Sequence, residues 1–126
     1  MTHAQREWMD ERQALGFSGE ELACAELARR GYAIIERRYR TRAGEIDIVA
    51  RDGPTMVFVE VKTRMGRAFG SAAVAVTAWK QRQVARLAQA YLSSHGLLDG
   101  PCRFDVVAVD VDGAKATVTV YRNAFP

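Results

Sequence analysis

Gly44–Arg64, GEIDIVARDGPTMVFVEVKTR, decides how this chain folds. Its two halves, Glu45–Ala50 and Met56–Lys62, are rich in β-branched residues, and Asp52-Gly53-Pro54 between them is a strong turn signal. The stretch predicts a β-hairpin. With the turn centred between Gly53 and Pro54, Asp47 faces Glu60, Glu45 faces Lys62 and Val49 faces Phe58. These six share one face, while Ile46, Ile48, Val57, Val59 and Val61 form an entirely apolar second face, as the period of two requires. A slip of one residue would scatter the acids.

Outward from the hairpin, Ser18 is a helix cap, Glu21 completes a capping box and Phe17 can staple onto Leu22, so a helix is expected from Gly19 to about Arg30, ended by Gly31. Residues 4 to 14, with Trp8 and Met9 among charges, predict a shorter helix. Tyr32–Arg40 reads as a first strand. Beyond the hairpin, Gly66–Ala75 is small-residue loop or short helix. Thr77 can cap a longer helix from Ala78 to about His95, with Val84, Leu87, Ala88, Tyr91 and Leu92 at core spacing and Arg82 and Arg86 on another side. Arg103–Val111 and Ala116–Arg122 predict two more strands around Asp112-Gly113. The order α-β-β-β-α-β-β describes an α/β sandwich around a mixed sheet.

At 126 residues, 48% of them hydrophobic and 26% charged, the chain suits one domain spanning 1–126, with residues 1–17 a helical extension. Its apolar runs are a few residues long, short of the roughly 20 that cross a bilayer, and MTHAQREWMDERQ lacks an apolar signal-peptide region. A cytoplasmic protein with no membrane partner is expected. Cys24 and Cys102 have neither zinc-site spacing nor a disulfide framework and read as buried small hydrophobes. With His3 and His95 as the only histidines, mechanisms that need a histidine base are disfavoured. The net charge is only +3, but Arg29, Arg30, Arg37, Arg38, Arg40 and Arg42 crowd a span whose one acid is Glu36. That is either a phosphate-binding patch or a solvated edge.

Directly opposed carboxylates on a sheet are unfavourable by up to about 1 kcal/mol unless a cation lies between them. Magnesium suits Asp47 and Glu60, because hard cations take carboxylate oxygens and need only one or two from the protein beside water and substrate phosphate. Lys62, two residues beyond Glu60, could act on water or on developing negative charge. The bland alternative is a Glu45–Lys62 ion pair with Asp47 and Glu60 facing water. Against it, Val49 and Phe58 continue the same face as apolar residues.

The set GE at Gly19-Glu20, GEID at Gly44–Asp47, FVEVKTR at Phe58–Arg64, Lys80 opening the later helix and RFDVV at Arg103–Val107 resembles the YraN-type bacterial family. That family is a branch of the PD-(D/E)xK nuclease-like superfamily, similar in fold to archaeal Holliday-junction resolvases. The resemblance covers roughly residues 17–110 and implies a restriction-endonuclease-like core over 18–111. It also implies a DNA endonuclease dependent on magnesium or manganese. Asp47 and Glu60 would then be metal ligands, Lys62 the catalytic lysine and Glu20 an additional catalytic acid at the metal. Ile46 stands where the superfamily has proline. Arg38, Arg40, Arg42, Arg64, Lys80 and Arg82 are expected along nucleic-acid phosphate, and cutting both strands would suit a homodimer. A binding module without catalysis and a protein scaffold are the competing readings.

Overall fold

Two hydroxyls start the two helices of the described residues. Ser18 Oγ accepts the Glu21 N–H at 3.1 Å and opens α1 (Gly19–Arg29); Thr77 Oγ1 accepts the Lys80 N–H at 3.1 Å and opens α2 (Ala78–Ser94). The strands are β1 (Thr2–Glu7), β2 (Ala33–Thr41), β3 (Gly44–Asp52), β4 (Thr55–Met65), β5 (Cys102–Asp112) and β6 (Lys115–Phe125). This computed structural model describes residues 2–7, 18–65, 76–113 and 115–125, with side chains from Ser18 onward.

The six strands form one mixed sheet in the order β1-β6-β5-β4-β3-β2, with a parallel β4–β5 pair and antiparallel neighbours elsewhere. The parallel pair brackets α2, as a crossover between parallel strands requires. α1 lays Leu22, Ala23 and Leu27 over one sheet face with Ile48, Val57, Val59, Val107 and Val109. α2 lays Leu87, Ala88, Tyr91 and Leu92 over the other with Val49, Met56 and Phe58, while Val84 meets Val106 and Ala108. Alternate residues of β4 and β5 therefore enter opposite cores. Full burial of each such side chain contributes on the order of 1.5–3 kcal/mol. Among the described residues no helix is long and apolar enough to cross a membrane.

The helix expected over 4–14 is corrected at its start: residues 4–7 belong to β1, paired with β6 from Thr2/Arg122 to Glu7/Thr117. An open strand edge offers a row of backbone partners, and taking them outweighs a weak local helical pattern. The remainder of that helix, Phe17 and the 66–75 segment lie outside the described residues. The cysteines also differ from expectation. Cys24 is half-buried, with its thiol pKa pushed up chiefly by burial, and Cys102, the first residue of β5, is exposed.

Two polar clusters tie strands together away from the hairpin acids. Buried Asp105 accepts hydrogen bonds from Tyr32 Oη at 3.0 Å, Arg103 Nε at 3.1 Å and the Asn123 N–H at 3.0 Å, and Arg103 also reaches Asp52 at 2.8 Å. The aspartate of RFDVV thus holds β5, β6 and the hairpin turn in register. Arg64 and Asp110, paired across the β4–β5 ladder, form an ion pair in which Arg64 Nη2 donates to Asp110 Oδ2 at 2.7 Å and Nε lies 2.6 Å from Oδ1. Breaking such a buried pair by removing one partner typically costs about 3–5 kcal/mol.

Candidate active site at the fork of two strands

β4 keeps its ladder with β5 from Met56 to Met65, whereas its ladder with β3 runs only from Asp52/Thr55 to Ile48/Val59. Over these five pairs the register is the one the hydrophobic pattern predicts, but the expected facing pairs Asp47/Glu60 and Glu45/Lys62 lie beyond the last pair of the ladder. Beyond Ile48 the period of two breaks: Ile48 packs under α1, but Ile46 packs under α2 with Tyr39. The neighbouring strand makes the same switch at Arg38, whose φ is 56°, between Arg37 on the α1 side and Tyr39 on the α2 side. Ile46 therefore leaves the apolar face assigned to it, and its partner Tyr39 lies on the same side, so both strands change sides at the same level. A left-handed non-glycine residue costs on the order of 1–2 kcal/mol.

Asp47 lies at this switch. Its Oδ2 accepts the Val61 N–H at 2.8 Å, so a carboxylate stands where a strand carbonyl would otherwise pair. Glu60, one residue earlier on β4, has a side chain only 17% exposed, and Lys80 Nζ approaches its Oε2 to 3.9 Å. Burial pushes the Glu60 pKa up to about 7; Asp47 adds to the rise, while Lys80 and Lys62 oppose it. Burial also raises the pKa of Asp47, with the Val61 N–H holding it down and Glu45 and Glu20 raising it. Both acids are therefore short of positive charge, despite two lysines close by.

Two carboxylates raised in this way are a donor set that would suit a hard divalent cation. Asp47 and Glu60 would hold it with water and substrate oxygens; among the described residues no group of three or more His, Cys, Asp or Glu side chains is placed to hold a metal. Glu20 lies near enough to influence Asp47, yet its two oxygens accept from Arg37 at 3.0 Å and Arg38 at 3.2 Å. In this geometry it binds the edge strand to α1. Glu45 accepts from Arg40 at 3.3 Å.

The residues expected along phosphate have separate fates. Arg38 and Arg40 are exposed but engaged by Glu20 and Glu45, and Arg64 pairs with buried Asp110. Lys80 turns inward to the acidic pair, while Arg42 and Arg82 remain on the exposed surface. The arginine-rich span thus carries less free charge than its composition suggests. Folding brings Glu20, Glu26 and Glu45 onto it from elsewhere in the chain or from its margins.

The profile described as "Uncharacterised protein family UPF0102" matches residues 19–109, a span that contains Asp47, Glu60, Lys62 and Lys80. The chain belongs to the UPF0102 (YraN) family. A UPF0102 protein of Symbiobacterium thermophilum is 54% identical over 113 residues, covering 88% of this chain and 95% of that one. One from Geobacter sulfurreducens is 50% identical over 112 residues, 88% of each chain. One from Geotalea uraniireducens is 50% identical over 114 residues, 90% of each.

Three positions in this UPF0102 chain gain meaning only from the fold. Gln83 Nε2 donates to the Ala43 carbonyl at 2.8 Å and lies over Gly44, where φ is 144° and a Cβ would come within 2.6 Å of that amide nitrogen. Gly19 allows the start of α1 to meet Thr63, since a Cβ there would collide with Thr63 Oγ1. The two helix starts are thereby docked against strands that carry the site. The glycines were visible as residues, but their contact partners lie 39 or more positions away in sequence, beyond the reach of local pattern.

Proposed function

We propose that this UPF0102 protein is a nuclease that hydrolyses phosphodiester bonds in DNA with magnesium or manganese, acting on branched or single-stranded intermediates. The observation that carries this reading is the pair Asp47 and Glu60 at the strand fork, raised in pKa and accompanied by Lys62 and Lys80. When bound, the metal would supply Lewis-acid polarisation of the phosphate and a more acidic water.

The remaining chemistry belongs to the chain. Asp47 and Glu60 are the residues that would bind the ion, and Val61 N–H fixes one oxygen of Asp47 so that the carboxylate does not rotate freely. Lys62 stabilises negative charge building on phosphate oxygens, as a preorganised donor of this kind does. Lys80, from α2, offsets the charge of Glu60 and ties the helix start to the site. Arg42 and Arg82 supply exposed positive charge for the flanking backbone.

The test compares wild type with Asp47→Asn and Lys62→Ala on linear, single-stranded, flap and four-way DNA in magnesium or manganese. Cleavage by wild type that falls about 100-fold or more in each variant is expected, the size of effect seen on removing one charge-stabilising donor. Equal activity in all three, or equal inactivity, overturns the assignment. Salt-dependent binding without cleavage would make the protein a binding module.

A further inference from the structure

α2 presents an uncommitted surface beside the acidic pair. Trp79 is 60% exposed, and residues 79, 82, 83 and 86 recur at intervals of three and four, so they share one helical face. Trp79, Gln83 and Arg86 line a recess of about 230 Å³ whose far wall is Ala43, on the turn joining β2 to β3. The Gln83–Ala43 hydrogen bond braces that wall against the helix. Lys80, adjacent to Trp79, reaches Glu60, so the helix start that lines the recess also touches the acidic pair.

Charge selects the occupant. The 17 residues of α2 include Lys80, Arg82 and Arg86 but no Asp or Glu, and exposed Arg42 precedes Ala43 in the chain. A ligand for this face should be anionic and carry flat π surfaces. A nucleic-acid strand with an unpaired base has both, whereas a continuous duplex keeps its base faces stacked away.

We infer that Trp79 is a stacking platform for an unpaired base of a nucleic-acid strand, with Arg86 beside it for that strand's phosphate. This rests on the nuclease reading above and narrows its substrates to those with single-stranded character next to the cleaved bond. Indole suits the task because base stacking tolerates any sequence.

The experiment uses full-length protein in which the other tryptophan is replaced, Trp8→Phe, so that indole emission comes from Trp79. It is titrated in EDTA with a short oligothymidylate and with a blunt hairpin duplex, the affinity of every variant is read from the anisotropy of a fluorescein label on the DNA, and cleavage is measured separately with magnesium. Oligothymidylate should quench the emission, and Trp79→Ala should weaken single-strand binding about 5- to 100-fold with less than about a 2-fold change for duplex. Trp79→Phe should restore most of the affinity. If the parent cleaves DNA but Trp79→Ala binds oligothymidylate equally well, the stacking inference falls and the nuclease reading stands. Quenching with loss of affinity in Trp79→Ala, but no cleavage by the parent, retains the platform and overturns the nuclease. Neither binding nor cleavage overturns both.

Discussion

Glu60 has a testable electrostatic signature. Its folded pKa of about 7 lies above the ordinary 4.5, so between those values the folded protein holds a proton that the unfolded chain releases. Stability from this group is present at low pH and is lost as pH rises through that window. In metal-free buffer, Glu60→Gln should stabilise the protein by roughly 2 kcal/mol at about pH 8 and give no gain near about pH 4. Urea denaturation across pH reads this directly, and a pH-independent difference would contradict it. Magnesium should reverse the order at high pH by stabilising wild type, because only the ionised carboxylate binds the ion well. Asp47 has a second role beside this one. Since it receives the Val61 N–H, Asp47→Ala should speed hydrogen exchange at that amide by about 10-fold or more, while Asp47→Asn, which keeps an amide oxygen, should preserve most protection. Unchanged exchange in Asp47→Ala would mean that the carboxylate does not hold the fork.

Among the elements, the start of α1 is sensitive to a single methyl. Gly19→Ala places a Cβ against Thr63 Oγ1, an overpacking expected to cost about 1–3 kcal/mol. Thr63→Ala removes that oxygen, so the double variant should recover at least about half of the loss and show coupling above about 0.5 kcal/mol in thermal or urea unfolding. Additive effects would show that the helix start can shift freely. This contact also marks a boundary of what sequence reveals. The helix caps at Ser18 and Thr77, the hairpin register from Asp52/Thr55 to Ile48/Val59 and the core stripe of α2 are local or periodic, and all are present where pattern placed them. The side of Ile46, the inward turn of Lys80 and the engagement of Arg64 by Asp110 depend on partners from other elements. β1 escaped notice because its reason for being a strand is the open edge of β6, a feature that exists only after the sheet has formed.

At the scale of the molecule, net charge overstates what is available to a polyanion. Arg37, Arg38 and Arg40 are each engaged by a glutamate, so nucleic-acid binding should gain when such a pair is broken from its acidic side. Glu45→Gln should tighten DNA binding about 2- to 5-fold at low salt, with the gain fading as salt rises. Fluorescence anisotropy over a salt series checks this, and weaker binding at low salt would argue against a screened arginine. The same strand sets the limit of the sheet. β2 has an irregularity between Ile34 and Glu36 and a left-handed Arg38, features that spoil a straight hydrogen-bonding border. A second molecule would meet an uneven row of backbone partners along this margin, so the kinked edge of β2 itself works against edge-to-edge aggregation.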